Sequence, residues 1–191
     1  MEKSNLEKIY KEKIIEVLSG ELKISNRMEV PKLNKIVLNM GLGEAKDNKN
    51  TLQQAVEELT LITGQKPIIR RSKKAISNFK IRENDPVGVS VTLRKQKMYE
   101  FLERFISIVS PRIRDFRGFS SKGFDGMGNY NFGINEQVVF PEINYDKVNA
   151  IRGMNLTFVT SAKDDSSAYK LLDSFGFPFR KTVSNDNNQE S

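Results

Sequence analysis

Seven basic side chains fall between Lys66 and Arg82, in KPIIRRSKKAISNFKIR, and no acidic residue stands among them. They are Lys66, Arg70, Arg71, Lys73, Lys74, Lys80 and Arg82. The whole chain carries 31 Lys and Arg against 24 Asp and Glu, a formal charge of +7. This one stretch therefore equals the entire surplus, and the rest of the chain is balanced. Positive charge concentrated in this way is an address for a polyanion such as nucleic acid. A charge run is more often an ordinary solvated face, but the absence of any interspersed acid favours binding here. Ile68, Ile69, Ile76, Phe79 and Ile81 are threaded through the run, which predicts a segment anchored in a core, with Phe79 placed to stack on a base.

Catalytic chemistry has few carriers. The chain has no Cys and no His, which closes thiol nucleophiles, Cys zinc sites, iron–sulfur clusters and disulfides, and removes the commonest general base and metal ligand. Gly41-Leu42-Gly43-Glu44 lacks the third glycine of a dinucleotide-binding turn and the GKS or GKT of a phosphate-binding loop. The acidic pairs Glu57-Glu58 and Asp164-Asp165 read as solvated helix positions. The sequence predicts no catalytic residue, no cofactor and no metal. A phosphotransfer or hydrolytic enzyme would have only these weak features to work with.

The elements that must position the basic run follow from periodicity. Leu6, Ile9, Tyr10, Ile14, Val17 and Leu18 recur at helical spacing, with Ser19-Gly20 as a stop. After Pro31 the period changes to two, with Ile36, Leu38 and Met40 on one side and Lys35, Val37 and Asn39 on the other. Asn48 to Asn50 cap a second helix with a stripe of Leu52, Ala55, Val56, Leu59 and Ile62, ended by Gly64. A short strand over Ile68 to Arg71 and a flexible excursion to Asp85-Pro86 come next. Val87, Val89, Val91 and Leu93 then alternate with Gly88, Ser90, Thr92 and Arg94, the sharpest strand signal in the chain.

A third helix is expected over Met98 to Val109, closed by Pro111. The glycine- and aromatic-rich stretch from Arg112 to Gly133 reads as a mobile projecting loop or hairpin, basic at its start, and suits a contact surface whose partner is not named by composition. Strands are predicted over Ile134 to Phe140 and around Leu156 to Thr160, with a helical turn at Tyr145 to Val148 between them. A last helix capped by Asp164 to Ser166 carries Ala168, Leu171, Leu172 and Phe175.

If these strands share one antiparallel sheet, its apolar side must be covered by the helices and the other side stays open. That open side would carry Asn39, Ser90, Thr92 and Arg94 beside the basic run. It would be a flat platform whose amides and hydroxyls meet 2′-hydroxyls, phosphates and base edges, while Lys66, Arg70 and Arg71 supply charge. At 191 residues, 38% hydrophobic and 29% charged, the chain suits a single domain over residues 1–181, with SNDNNQES in a disordered tail from 182 to 191. No apolar run approaches the roughly 20 residues of a membrane span, and MEKSNLEKIYKEK lacks the features of a secretory signal.

In order along the chain stand KIVLNMGLGE (35–44), TGQKP (63–67), FKIR (79–82), VTLR (91–94), PRIRDFRG (111–118), FDGMGNY (124–130), FPEI (140–143) and FPFRK (177–181). With these motifs the chain resembles the 5S rRNA-binding family of bacterial large-subunit ribosomal proteins, number five of that subunit. The resemblance implies an α+β fold, a curved antiparallel sheet with helices packed on one face and long projecting loops. It also implies a non-catalytic component of the cytoplasmic large ribosomal subunit that holds 5S rRNA in the central protuberance. Its partners would be 5S rRNA, large-subunit rRNA, the P-site tRNA, a small-subunit protein across an intersubunit bridge and neighbouring 5S rRNA-binding proteins, with no membrane. Carried over by motif, 5S rRNA contacts fall on Asn39, Gln65, Phe79 and Thr92. The tRNA-reaching loop would hold Lys73, Lys74, Lys80 and Arg82, and the bridge Arg112, Arg114 and Arg117. Two departures stand out: Ala75 where the family commonly has serine, and Lys95 where it commonly has glycine.

Overall fold

The computed structural model describes residues 4–43, 49–145 and 148–180. Helix α1 runs from Asn5–Ile9 through a π-helical Tyr10–Ile14 into Ile15–Glu21. Strand β1 (Leu33–Gly41), helix α2 (Lys49–Thr63), β2 (Ile68–Arg71) and β3 (Pro86–Leu93) follow. Helix α3 comprises Lys95–Arg104, a π-helical Phe105–Val109 and Ser110–Arg112. Then come β4 (Tyr130–Ile134), β5 (Met154–Thr160) and α4 (Asp165–Ser174). Among the described residues the strands form an antiparallel sheet in the order β2-β3-β1-β5-β4, an α+β fold as expected.

Register explains why the helices gather on one side. Ile36 pairs with Leu93 and Phe158, Leu38 with Val91 and Leu156, and Met40 with Val89. All of these are buried, together with Ala55, Leu59 and Ile62 of α2, Met98, Phe101 and Leu102 of α3, and Leu171 and Leu172 of α4. Each large apolar side chain so covered contributes about 1.5–3 kcal/mol, which fixes the face as well as the fold. Val87, expected on this face, is only half-buried at the end of β3. Asp164 caps α4 by accepting from Ser167 N–H at 2.9 Å. Asn48, the expected first cap of α2, lies outside the described residues, as do Asp146 and Lys147 of the predicted turn, Lys181 and the tail.

Several expectations need correction. Helix α1 passes Gly20 to end at Glu21, and Val17 is exposed. Tyr10, Ile14 and Leu18 are buried and Leu6 and Ile9 pack half-buried against the core, so Val17 alone of the expected stripe points away. Helix α3 runs one residue past Pro111, whose fixed φ is itself helical.

The larger correction concerns residues 119–132, whose aromatic side chains are packed against the core rather than projecting. The rings of Phe119 and Phe132 lie 4.5 Å apart, those of Phe124 and Tyr130 4.7 Å, and those of Phe119 and Phe177 5.1 Å. The Asp165 carboxylate accepts from Gly126 N–H (3.1 Å) and Gly128 N–H (3.0 Å), so this acid organises a loop instead of facing water. Gly128 has φ +77, and a Cβ there would sit 2.8 Å from the Ala162 carbonyl oxygen. Glycine serves close approach here, not mobility. β4 accordingly begins at Tyr130, and the predicted strand over Ile134 to Phe140 gives way to a 3-10 turn at Gln137–Val139.

Glu58 is also misread by pattern alone, since it is 8% exposed and paired with Arg152 at 3.3 Å. Burial pushes its carboxyl above the usual range, against the downward pull of Arg152 and Gln137.

Candidate nucleic-acid interface

The side of the sheet away from the helices is built by the alternate residues of the same strands. Asn39 pairs with Ser90 of β3 and with Asn155 of β5, and Val37 pairs with Thr92 and with Thr157. Side chains opposite one another share a face, so Asn39, Ser90 and Thr92 stand together on the uncovered side, as the strand pattern requires. Asn39 is exposed and Thr92 half-buried. No carboxylate occupies these register positions, nor the Gly41–Gly88 pair beside them. A Cβ at Gly88 would fall 2.6 Å from the Met40 carbonyl oxygen, so the surface is flat there by necessity.

β2 brings the charge. Ile68 pairs with Ser90 and Arg70 with Gly88, which places Arg70 on the open side at the glycine hollow. Its Nε donates to Ser90 Oγ at 2.7 Å. Ser90 is consequently only 5% exposed, which corrects its expected place as an open surface group. It holds the guanidinium over the sheet. Gln65 Nε2 donates to the Thr92 carbonyl oxygen at 3.3 Å, tying the segment before β2 to β3. Lys66 and Arg94 are exposed, and Arg94 continues the alternation in extended backbone just before α3. Lys95 follows with φ +52, so the lysine occupies a left-handed conformation that suits glycine.

Residues 72–85 form a braced projection, not a flexible excursion. Ser72 N–H donates to Asp85 O (2.9 Å), Asn84 N–H to Ser72 O (3.0 Å), and Ile76 and Ile81 exchange backbone bonds of 2.9 and 3.1 Å. Lys73, Lys74, Lys80 and Arg82 are exposed on it, and Arg71 Nη1 reaches Asn84 O at 2.9 Å. The threaded apolar residues do not anchor it in the core. Ile68 is 62% and Phe79 68% exposed, with Ile69 and Ile76 also at the surface. They leave the backbone bonds to carry the projection and present apolar surface among cations.

The arginines at 112, 114 and 117 are exposed but lie elsewhere. Arg114 lines a groove with Gly133 and Ile134 of β4. β4 and β2 are opposite edges of the sheet, about 19 Å apart at four strand spacings. The structure thus gathers Asn39, Gln65, Arg70, Ser90 and Thr92 and sets the 112–117 group apart. The outward positions of β5 and β4, Asn155, Thr157 and Asn131, were not singled out in the sequence, although the Leu156–Phe158–Thr160 alternation fixes the phase of two of them. Among the described residues no group of three or more acidic side chains is arranged to hold a metal ion, and no helix is long and apolar enough to cross a membrane.

Comparison with known proteins identifies related chains. Residues 26–82 match the family model described as ribosomal protein L5, and residues 86–179 match the separate model that describes the C-terminus of that ribosomal family. The chain is 55% identical over 177 residues to the large ribosomal subunit protein uL5 of Dichelobacter nodosus, covering 93% of this chain and 99% of that one. It is 56% identical over 173 residues to uL5 of Acholeplasma laidlawii, covering 91% and 96% respectively. With uL5 of Geobacter sulfurreducens it shares 54% over 177 residues, or 93% and 99%. These relatives carry the names of ribosomal components rather than enzymes, and matches of this length and identity mean that the chain belongs to the ribosomal protein L5 family of the large ribosomal subunit.

Proposed function

We propose that this chain is a non-catalytic rRNA-binding component that holds 5S rRNA on the open face of its sheet and so attaches it to the central protuberance. The observation that carries the reading is the juxtaposition of Asn39 and Thr92 on a face that none of the described helices covers, beside the basic edge made by β2. Asn39, Gln65, Thr92 and Phe79 supply polar and stacking contacts, with Lys66, Arg70, Arg71 and Arg94 against phosphates. Ser90 acts through Arg70, whose guanidinium it orients.

The braced projection carries Lys73, Lys74, Lys80 and Arg82 toward the P-site tRNA. Arg112, Arg114 and Arg117, at the other edge, face a small-subunit protein across an intersubunit bridge. Large-subunit rRNA and neighbouring 5S rRNA-binding proteins complete the surroundings. The described residues share a hydrophobic core that draws on β1, β3, β5 and the helices alike, which supports a single unit over residues 1–181.

The test is the affinity of the full chain for 5S rRNA and for an unrelated RNA of equal length over a salt series. Preference for 5S rRNA, with a log–log salt slope of several phosphate contacts, is expected. Equal affinity for both RNAs at moderate salt would overturn specific recognition.

A further inference from the structure

Two rows of residues cross the sheet at right angles to its strands. Ser90, Asn39, Asn155 and Gly133 are successive partners from β3 to β4, and Thr92, Val37, Thr157 and Asn131 form the neighbouring row. The contacts proposed above use only the β3–β1 half of each row. The β5–β4 half is just as uncovered, because Asn155, Asn131 and Gly133 are all exposed. Its chemistry differs from the β2 end. No charged side chain stands in these positions, and the nearest on the same face is Lys35, opposite Val159.

The geometry points to Asn155, Asn131 and Thr157 as a second, electrically neutral contact for the same RNA, taking the 2′-hydroxyls and base edges of an A-form minor groove. That groove is wide and shallow, so a flat surface of short polar side chains suits it. Flatness is provided at Gly133, where even a Cβ would lie 3.4 Å from Asn155 Oδ1.

Orientation comes from Thr157, whose Oγ1 donates to Asn131 Oδ1 at 2.7 Å. That bond occupies the amide oxygen and leaves the two Nδ2 hydrogens without a partner among the described residues. Asn155 sits directly beside Asn39, at the 4.5–5.5 Å Cβ spacing of cross-strand pairs. RNA that meets Asn39 and continues away from the basic edge must therefore pass over Asn155. The inference rests on the reading that the β3–β1 half docks 5S rRNA.

The experiment measures the dissociation constant of the full chain for 5S rRNA over a salt series, with Asn39→Ala as the reference. Asn155→Ala and Asn131→Ala are each expected to weaken binding about 5- to 10-fold, the scale of one lost polar contact. Their log–log salt lines should run parallel to that of the unaltered chain, and melting temperatures should not move. Thr157→Val, which keeps the shape and removes the orienting hydroxyl, should weaken binding as Asn131→Ala does, and the two together should cost no more than either alone. If Asn39→Ala weakens binding while the β5–β4 substitutions stay within about twofold of the unaltered chain, the second contact is refuted and the docking face stands. A shallower salt slope in Asn155→Ala or Asn131→Ala would overturn its neutral character. If the unaltered chain shows no preference for 5S rRNA, the reading beneath the inference falls instead.

Discussion

β1 serves two surroundings within nine residues. Ile36, Leu38 and Met40 are wholly buried against α2, α3 and their partners on β3 and β5, whereas Lys35, Val37 and Asn39, between and beside them, line a face that none of the described helices covers. Backbone and hydrogen bonding are common to both sets, so only the neighbours differ. On the covered side the constraint is volume, because a gap cannot be filled by water. On the open side it is the donors and acceptors left for something outside the chain. Stability and recognition can therefore be altered separately on alternate residues of one strand.

The largest effect should come from the covered side. Leu38→Ala opens a cavity in a fully buried site and should cost about 3–5 kcal/mol in denaturant unfolding, while the folded fraction keeps its affinity for 5S rRNA. A loss of affinity in molecules shown to be folded would break the separation of the two faces.

The converse substitutions, Asn39→Ala and Thr92→Ala, should each reduce 5S rRNA affinity by roughly 1–3 kcal/mol in a binding titration and leave the melting temperature unchanged. Charge can be separated from shape by Lys66→Gln with Arg94→Gln, both exposed and set against phosphates. The salt slope should fall by about two phosphate contacts, with discrimination between RNAs preserved.

The smallest effect lies within the covered layer, at Glu58. Burial raises its carboxyl in the folded state above the ordinary 4.5. The folded chain then binds more protons than the unfolded one between those two values, so this group's contribution to stability is full below pH 4.5 and is lost as pH rises through the folded value. Glu58→Gln should flatten that part of a plot of melting temperature against pH.

Period-two and helical patterns make β1, β2, β3 and α2 readable in the sequence, and with them the phase that puts Asn39 and Thr92 outside. What could not be read depends on partners distant in sequence. Glu58 and Arg152 are 94 positions apart, and nothing near Glu58 signals that it is buried. Ser90 looks open until Arg70, 20 residues away, folds over it. Glycines between residues 118 and 128 suggested freedom, yet they admit close packing around Phe119, Phe124 and Asp165. Removing Gly118 to Gly128 would strip two rings from the aromatic cluster, so the segment cannot be treated as a detachable contact loop.

β2 has one further consequence. It is an edge strand of four exposed residues, paired on one side only, and such an edge can recruit an identical strand from another molecule. Arg70 and Arg71 make two such edges repel, whereas β4, at the opposite margin, is shielded by its own chain through the Phe124–Tyr130 bridge. Before assembly, mutual repulsion keeps separate copies from aggregating edge to edge. A polyanion removes that repulsion only by occupying the edge itself, so the chain is at no stage left with a bare, neutralised margin.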